Sequence, residues 1–416
     1  MQAVITIPEL AVLRNYADAE GVLTREIAGV PLLVRAIATA MRAGVDSVLM
    51  IWPPDVDRSI WSRCAASPVL HGSQITHLVR PFDPRQRDHW DAIAVSLEEQ
   101  FLWLPWNWVT YKRALTGLAP ETVQPATWDA PALLKKLAAL CCARIQLAAR
   151  VPEGVCLTPW TSTADAERFL VAHSGKPSDG IYSKFNRLLC RPAVRLLTHT
   201  PVTPNGITVG GLVVAILAAF MYSRGHYAAY VGGALLFFLS GLFDEADGML
   251  ARVKFGESVF GTWFEGFVDE ATYLLVFSGI TLGLYRERGP TELTFGYLLI
   301  VGCVLSVVVT RLQRKLATAP DRPQEYAGRL NHLLESDPSN IVSRVVRQIH
   351  IFIKKGVAIH YILIFTILGG LPLLLRLAAL GANLTWPVAL YFNRKFFRRP
   401  TTRNGTPEAQ IAQETP

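Results

Sequence analysis

Cysteine is sparse in this sequence and follows no pattern. The six thiols Cys64, Cys141, Cys142, Cys156, Cys190 and Cys303 show neither a CxxC pair nor a Cys/His ligand spacing, which argues against a zinc ribbon or a redox motif. We read all six as reduced structural thiols. No secretory leader is expected either. Met1 to Asn15 has no basic start, no uninterrupted apolar core and no small-residue cleavage site, so the N-terminus is expected to stay in the cytosol. The long apolar runs also lack scattered buried charges of the kind that mark an ion path, which argues against a channel or transporter.

What is plentiful is apolar length. Across 416 residues, 51% are hydrophobic and the mean hydropathy is +0.28, which is long for one ordinary domain and too apolar for a purely soluble protein. Up to about residue 180 the residue types are mixed, whereas from Ile207 onward apolar runs alternate with short clusters of charge. Segments at about 205–222, 227–250, 263–284 and 293–312 each approach the ~20 residues a spanning helix needs. From Gly356 to Phe392 the only formal charge is Arg376, and Gly369, Gly370 and Pro372 interrupt the run. Two shorter helices joined near Arg376 and Leu380 fit it, making six spans.

The net charge of +8 gathers at the ends of apolar runs, which favours anionic lipid headgroups over nucleic acid as the partner. Arg311, Arg314, Lys315, Arg322, Arg329, Arg344, Arg347, Lys354 and Lys355 lie between the fourth and fifth spans, against Arg224, Arg286, Arg288 and Arg376 in the opposite loops. This bias puts both termini in the cytosol, and the basic tail Arg394, Lys395, Arg398, Arg399 agrees. Before the first span, Lys184 to Thr198 spaces Arg187, Arg191 and Arg195 by four, with Leu188, Leu189, Val194 and Leu197 between them. The pattern predicts an amphipathic helix on the cytosolic face, anchored on headgroups or touching a substrate phosphate.

Between the second and third spans the sequence turns acidic. Asp244 and Asp247 share a helix face with Gly248 and Ala251, and Gly261, Glu265 and Asp269 follow at intervals of four on the next helix. Four converging carboxylates at a membrane boundary repel one another and resist desolvation unless cations join them. Carboxylate oxygens suit Mg2+ or Mn2+, and two such ions would clamp a pyrophosphate. Arg252 offers a planar fork to a phosphate, and the small residues let a nucleotide approach the backbone. Glu245, Glu257 and Glu270 fall off the shared faces and read as acids that solvate helix ends.

These residues closely resemble the signature of the CDP-alcohol phosphotransferase family, Asp-x2-Asp-Gly-x2-Ala-Arg-x8-Gly-x3-Asp-x3-Asp. Every spacing matches, with Glu265 standing where the family has its third aspartate. Pro204-Asn205-Gly206-Ile207-Thr208 resembles the family's common approach to the first span. The resemblance implies that Asp244, Asp247 and Glu265 ligate metal, that Asp269 helps hold metal and acts as general base, and that Gly248, Ala251, Arg252 and Gly261 contact the CDP part. It further implies a six-span domain, a CDP-alcohol donor, an alcohol acceptor, CMP as leaving group and a homodimer.

In the first half, Ala3 to Ile7 and Ser47 to Trp52 read as strands and Pro31 to Ala43 as a helix with Leu33, Ile37, Ala40 and Met41 inward. That order predicts a parallel α/β layer. Gly29-Val30-Pro31-Leu32-Leu33 is similar to the region after the nucleotide loop of sugar-phosphate nucleotidyltransferases, yet no glycine-rich basic loop follows the first strand and Phe101 to Val109 holds no metal-binding aspartate. The domain is therefore expected to be non-catalytic. With Lys176 to Gly180 ahead of the membrane half, the chain resembles fusions of inositol-phosphate cytidylyltransferase with di-inositol-phosphate phosphate synthase. Trp103, Trp106 and Trp108 are expected in packing rather than in base stacking.

The expected layout is an α/β nucleotidyltransferase-like domain over 1–170, a linker and juxtamembrane helix over 171–200, an all-α membrane domain over 201–395 and a disordered tail over 396–416. The expected activity is metal-dependent transfer of a phosphoalcohol, phosphatidyl above all, in phospholipid biosynthesis at the cell membrane. Transfer of phosphoinositol from a soluble CDP-polyol and a non-catalytic membrane scaffold are the alternatives.

Overall fold

The computed structural model describes residues 2–83, 86–98, 100–116, 121–122, 153–176, 180–317 and 355–397. Cys141, Cys142, the basic residues Arg322, Arg329, Arg344, Arg347 and Lys354, and the tail with Arg398 and Arg399 lie outside them. Two compact units form: Met1–Ile207 with Asp244–Thr262, and Thr208–Phe243 with Trp263–Pro416.

In the first unit, β1 (Gln2–Thr6) is buried along its whole length, as a strand covered on both faces must be. It is flanked by β4 (Ser47–Trp52) and β6 (Gln100–Pro105), both parallel to it. β5 (Gln74–Val79) extends the sheet beyond β4, and β7 (Glu121–Thr122) adds an antiparallel edge to β6. The crossover from β1 to β4 includes helix α1 (Leu32–Arg42), whose Leu33, Ile37 and Ala40 are buried while Met41 is half-buried. Val4, Leu49, Ile51, Trp90, Phe101 and Trp103 form the core on one face of the sheet. Trp103 and Trp106 are both buried and Trp108 is half-buried.

A tight hairpin of β2 (Glu26–Ile27) and β3 (Val30–Pro31) precedes α1. Its tip residues Ala28 and Gly29 have φ of 52° and 74°, the two left-handed positions of a type I′ turn. The tip packs on the end of helix α3 (Ile181–Thr198), where a Cβ on Gly29 would meet Thr198 O at 2.5 Å. Glu167, buried on helix α2 (Thr163–Ala172), accepts from Ala28 N at 3.0 Å and stands 3.1 Å from His199 Nε2. This carboxylate ties hairpin, α2 and the end of α3 together.

Helix α3 has the amphipathic pattern foreseen, with Tyr182, Phe185, Leu188, Leu189 and Leu196 exposed and Cys190 and Val194 buried. In its arginine row, Arg187 is ion-paired with Glu245, Arg191 donates to Ala172 O, and Arg195 lies 4.0 Å from Glu167.

Helices dominate the other part of the chain: α4 (Pro204–Ser223), α5 (Tyr227–Val253), α6 (Val259–Arg288), α7 (Thr291–Ala317), α8 (Lys355–Ile367) and α9 (Leu371–Phe397). Five of them, all but α8, are long and apolar enough to cross a bilayer, so this is a multi-pass membrane protein. Among the described residues α8 is a shorter apolar helix, Gly356–Ile367, at the place of the expected fifth of six spans. Tyr222, Phe237, Val276, Ile280, Ile359 and Leu375 pack in the core of the second unit.

The joint in the last apolar run lies elsewhere than near Arg376 and Leu380, which are both inside α9. The chain breaks at Gly369, with φ of 70°. Gly370 N donates to Phe365 O at 2.7 Å and Gly369 N to Thr366 O at 3.1 Å, a glycine-capped helix end. Pro372 then sits in the first turn of α9, where a missing N–H costs nothing.

Candidate active site

Helix α5 carries Asp244, Asp247, Gly248 and Ala251, and α6 carries Gly261, Glu265 and Asp269. Asp244, Asp247 and Glu265 each present one carboxylate oxygen, and the three oxygens all lie within 4.8 Å of one another. Asp247 is buried. Two oxygens on one Mg2+, each at about 2.1 Å, stand roughly 3 to 4 Å apart, so a small closure brings this set to ligand distance. The donors are all hard oxygens, which fits Mg2+ or Mn2+ and disfavours soft metals. Asp269, one turn further along α6, is outside the group of three.

A Cβ on Gly248 would lie 3.4 Å from both Nη1 and Nη2 of Arg252, an ordinary contact with the end of that side chain. Arg252 Nε donates to Ser174 O, which fixes the side chain along α5. A Cβ on Gly261 would meet Ser258 Oγ at 3.0 Å and Asn205 Oδ1 at 3.2 Å. Asn205, in the first turn of α4, is thereby at the start of α6.

The three acids expected to solvate helix ends have basic partners instead. Glu245 pairs with Arg187 at 2.8 Å, and both side chains are only 11% exposed. Glu257 pairs with Arg42 at 2.6 Å, and Glu270 pairs with Arg311. Their partners lie 58, 215 and 41 residues away, so no local spacing announces them. Charge sign alone was the available signal.

Residues 201–389 match the profile of the CDP-alcohol phosphatidyltransferase family. The chain is 31% identical over 130 residues to a phosphatidylinositol phosphate synthase of Corynebacterium glutamicum, covering 30% of this chain and 58% of the relative. It is 32% identical over 129 residues to an archaetidylinositol phosphate synthase of Methanothermobacter thermautotrophicus, covering 30% of this chain and 62% of that relative. A phosphatidylinositol phosphate synthase of Mycobacteroides abscessus is 27% identical over 128 residues, 30% of this chain and 57% of its own length. The chain thus spans less than two thirds of the length of each.

Proposed function

We propose that the protein, whose residues 201–389 match the CDP-alcohol phosphatidyltransferase profile, transfers a phosphatidyl-type group from a CDP-lipid to an inositol phosphate, releasing CMP. The observation that carries this reading is the convergence of Asp244, Asp247 and Glu265 inside that domain. The names of the relatives support the choice of donor and acceptor, since they speak of inositol phosphate joined to a lipid. A CDP-lipid is therefore preferred here to a soluble CDP-polyol.

Asp244, Asp247 and Glu265 would hold divalent metal, two ions in all with help from Asp269. Bound metal screens the diphosphate charge and stabilises the departing CMP oxygen. Gly248, Ala251 and Gly261 leave the backbone open to the CDP part, and Arg252 offers its guanidinium to a phosphate. The Asp269 carboxylate takes the proton of the acceptor hydroxyl as that oxygen attacks phosphorus. The new oxygen–phosphorus bond forms as the bond to CMP breaks, and CMP carries away the electron pair. The protein works in the cell membrane with both termini cytosolic, as a homodimer, and residues 1–170 take no part in bond making.

Purified protein in lipid nanodiscs, given CDP-diacylglycerol, inositol phosphate and Mg2+, is expected to release CMP, to stop on chelation by EDTA and to recover on Mg2+ or Mn2+ addition. CMP released from CDP-inositol and not from the CDP-lipid would move the donor to the soluble class. No CMP from either donor would overturn the transferase reading in favour of a scaffold.

A further inference from the structure

The turn that follows the Asp244/Asp247 helix is held by the α/β region of the same compact unit. Phe255 there has φ of 58°, a left-handed backbone that a side chain disfavours. Two cations fix it. The guanidinium carbons of Arg35 and Arg42 each stand 5.1 Å from the centre of the Phe255 ring. Arg42 also donates to Phe255 O and to Glu257 Oε2, both at 2.6 Å. Next to Phe255, Lys254 Nζ donates to Thr200 O at 2.6 Å.

Both arginines stand on α1. Arg35 is fully buried and donates twice to Ile27 O, at 3.2 and 2.7 Å. Burial pushes its guanidinium down to about 9, against the pull of Glu167, so it stays charged at neutral pH. A half-exposed pair such as Arg42 with Glu257 stabilises a fold little. Its geometry is better suited to aiming a short connection. Asp247 lies eight residues before Phe255, and Glu265 eight after Glu257, so the conformation of the turn bears directly on both carboxylate helices.

We propose that Arg42, backed by Arg35, is a positioning residue: through Phe255 and Glu257 the α/β region holds the α5–α6 turn and so keeps the carboxylates at metal-binding spacing. This gives a non-catalytic domain a role in the reaction without touching substrate. The proposal rests on the transferase reading of those carboxylates, and its test separates the two.

The full chain in nanodiscs is compared with Arg42→Ala, Arg42→Lys, Phe255→Gly and, as a control, Arg25→Ala, whose side chain pairs with Asp18. Mn2+ binding is followed by electron paramagnetic resonance, and kcat and KM by CMP release. Arg42→Ala is expected to weaken Mn2+ binding and to lower kcat about tenfold, as small misplacements of reacting groups do, with KM for the acceptor and the thermal midpoint unchanged. Arg42→Lys restores part of both readouts through Glu257. Phe255→Gly relieves the backbone but removes the ring, and should behave like Arg42→Ala.

Should Arg42→Ala fail to fold, the lysine and glycine variants carry the test. Mn2+ binding and kcat equal to the Arg25→Ala control, or a Phe255→Gly protein equal to wild type, would overturn the clamp while leaving the transferase standing. A wild type that releases no CMP, yet binds Mn2+ in an Arg42-dependent way, would support the clamp and sink the transferase. A wild type that binds no Mn2+ overturns both.

Discussion

Glu265 carries one methylene more than the aspartate of the family pattern, yet its oxygen joins those of Asp244 and Asp247 within 4.8 Å. The longer side chain still brings its oxygen to the other two. We expect Glu265→Asp to keep or raise kcat in the CMP assay; complete loss would show that this centre is built around the glutamate. Asp269→Asn should behave differently, because Asp269 lies outside the group of three. Its loss as proton acceptor should lower turnover by about 100-fold or more, while Mn2+ binding at the group of three persists. An Asn variant with near wild-type turnover would remove Asp269 as the base. The convergence of Asp244, Asp247 and Glu265 was legible because helical spacing of three and four is a local signal. Glu245 was not, because its partner Arg187 is 58 residues away and only packing brings the two together.

At the scale of elements, span length was legible because the bilayer fixes it, whereas the joint after α8 was not. Three helix-breaking residues lie close together there, and only the cap geometry at Gly369 and Gly370 decides between them. Helix contact in the second unit was equally hidden. A Cβ on Gly279 would lie 2.3 Å from Ala219 O, and one on Gly283 would lie 2.1 Å from Tyr222 O. Both clashes are with backbone of α4, so no side chain can turn aside to relieve them. Gly279→Ala and Gly283→Ala should each destabilise by about 1 to 3 kcal/mol, the usual cost of overpacking. Thermal unfolding in detergent would register this as a lowered midpoint. Gly381→Ala, with nothing within 4 Å of its Cβ, should leave the midpoint unchanged or raise it, since alanine favours a helix.

For the molecule as a whole, the parallel layer could be read in advance from apolar strands and one amphipathic helix, but its attachment to α3 and to the α5–α6 turn could not. Those contacts join residues far apart in sequence, and Glu167 shows why they matter. Its carboxylate is almost fully buried; it accepts from Ala28 N, faces His199, and offsets the buried charge of Arg35. Removing one member of a buried charged network strands the others. Glu167→Ala should therefore cost about 3 kcal/mol, whereas Glu167→Gln, which keeps an acceptor for Ala28 N, should cost less. If the network also steadies the clamp on Phe255, Glu167→Ala should open the segment around residues 254–258 to hydrogen exchange before the membrane helices lose protection. Exchange that rises uniformly along the chain would mean that Glu167 stabilises the fold without any special link to the turn.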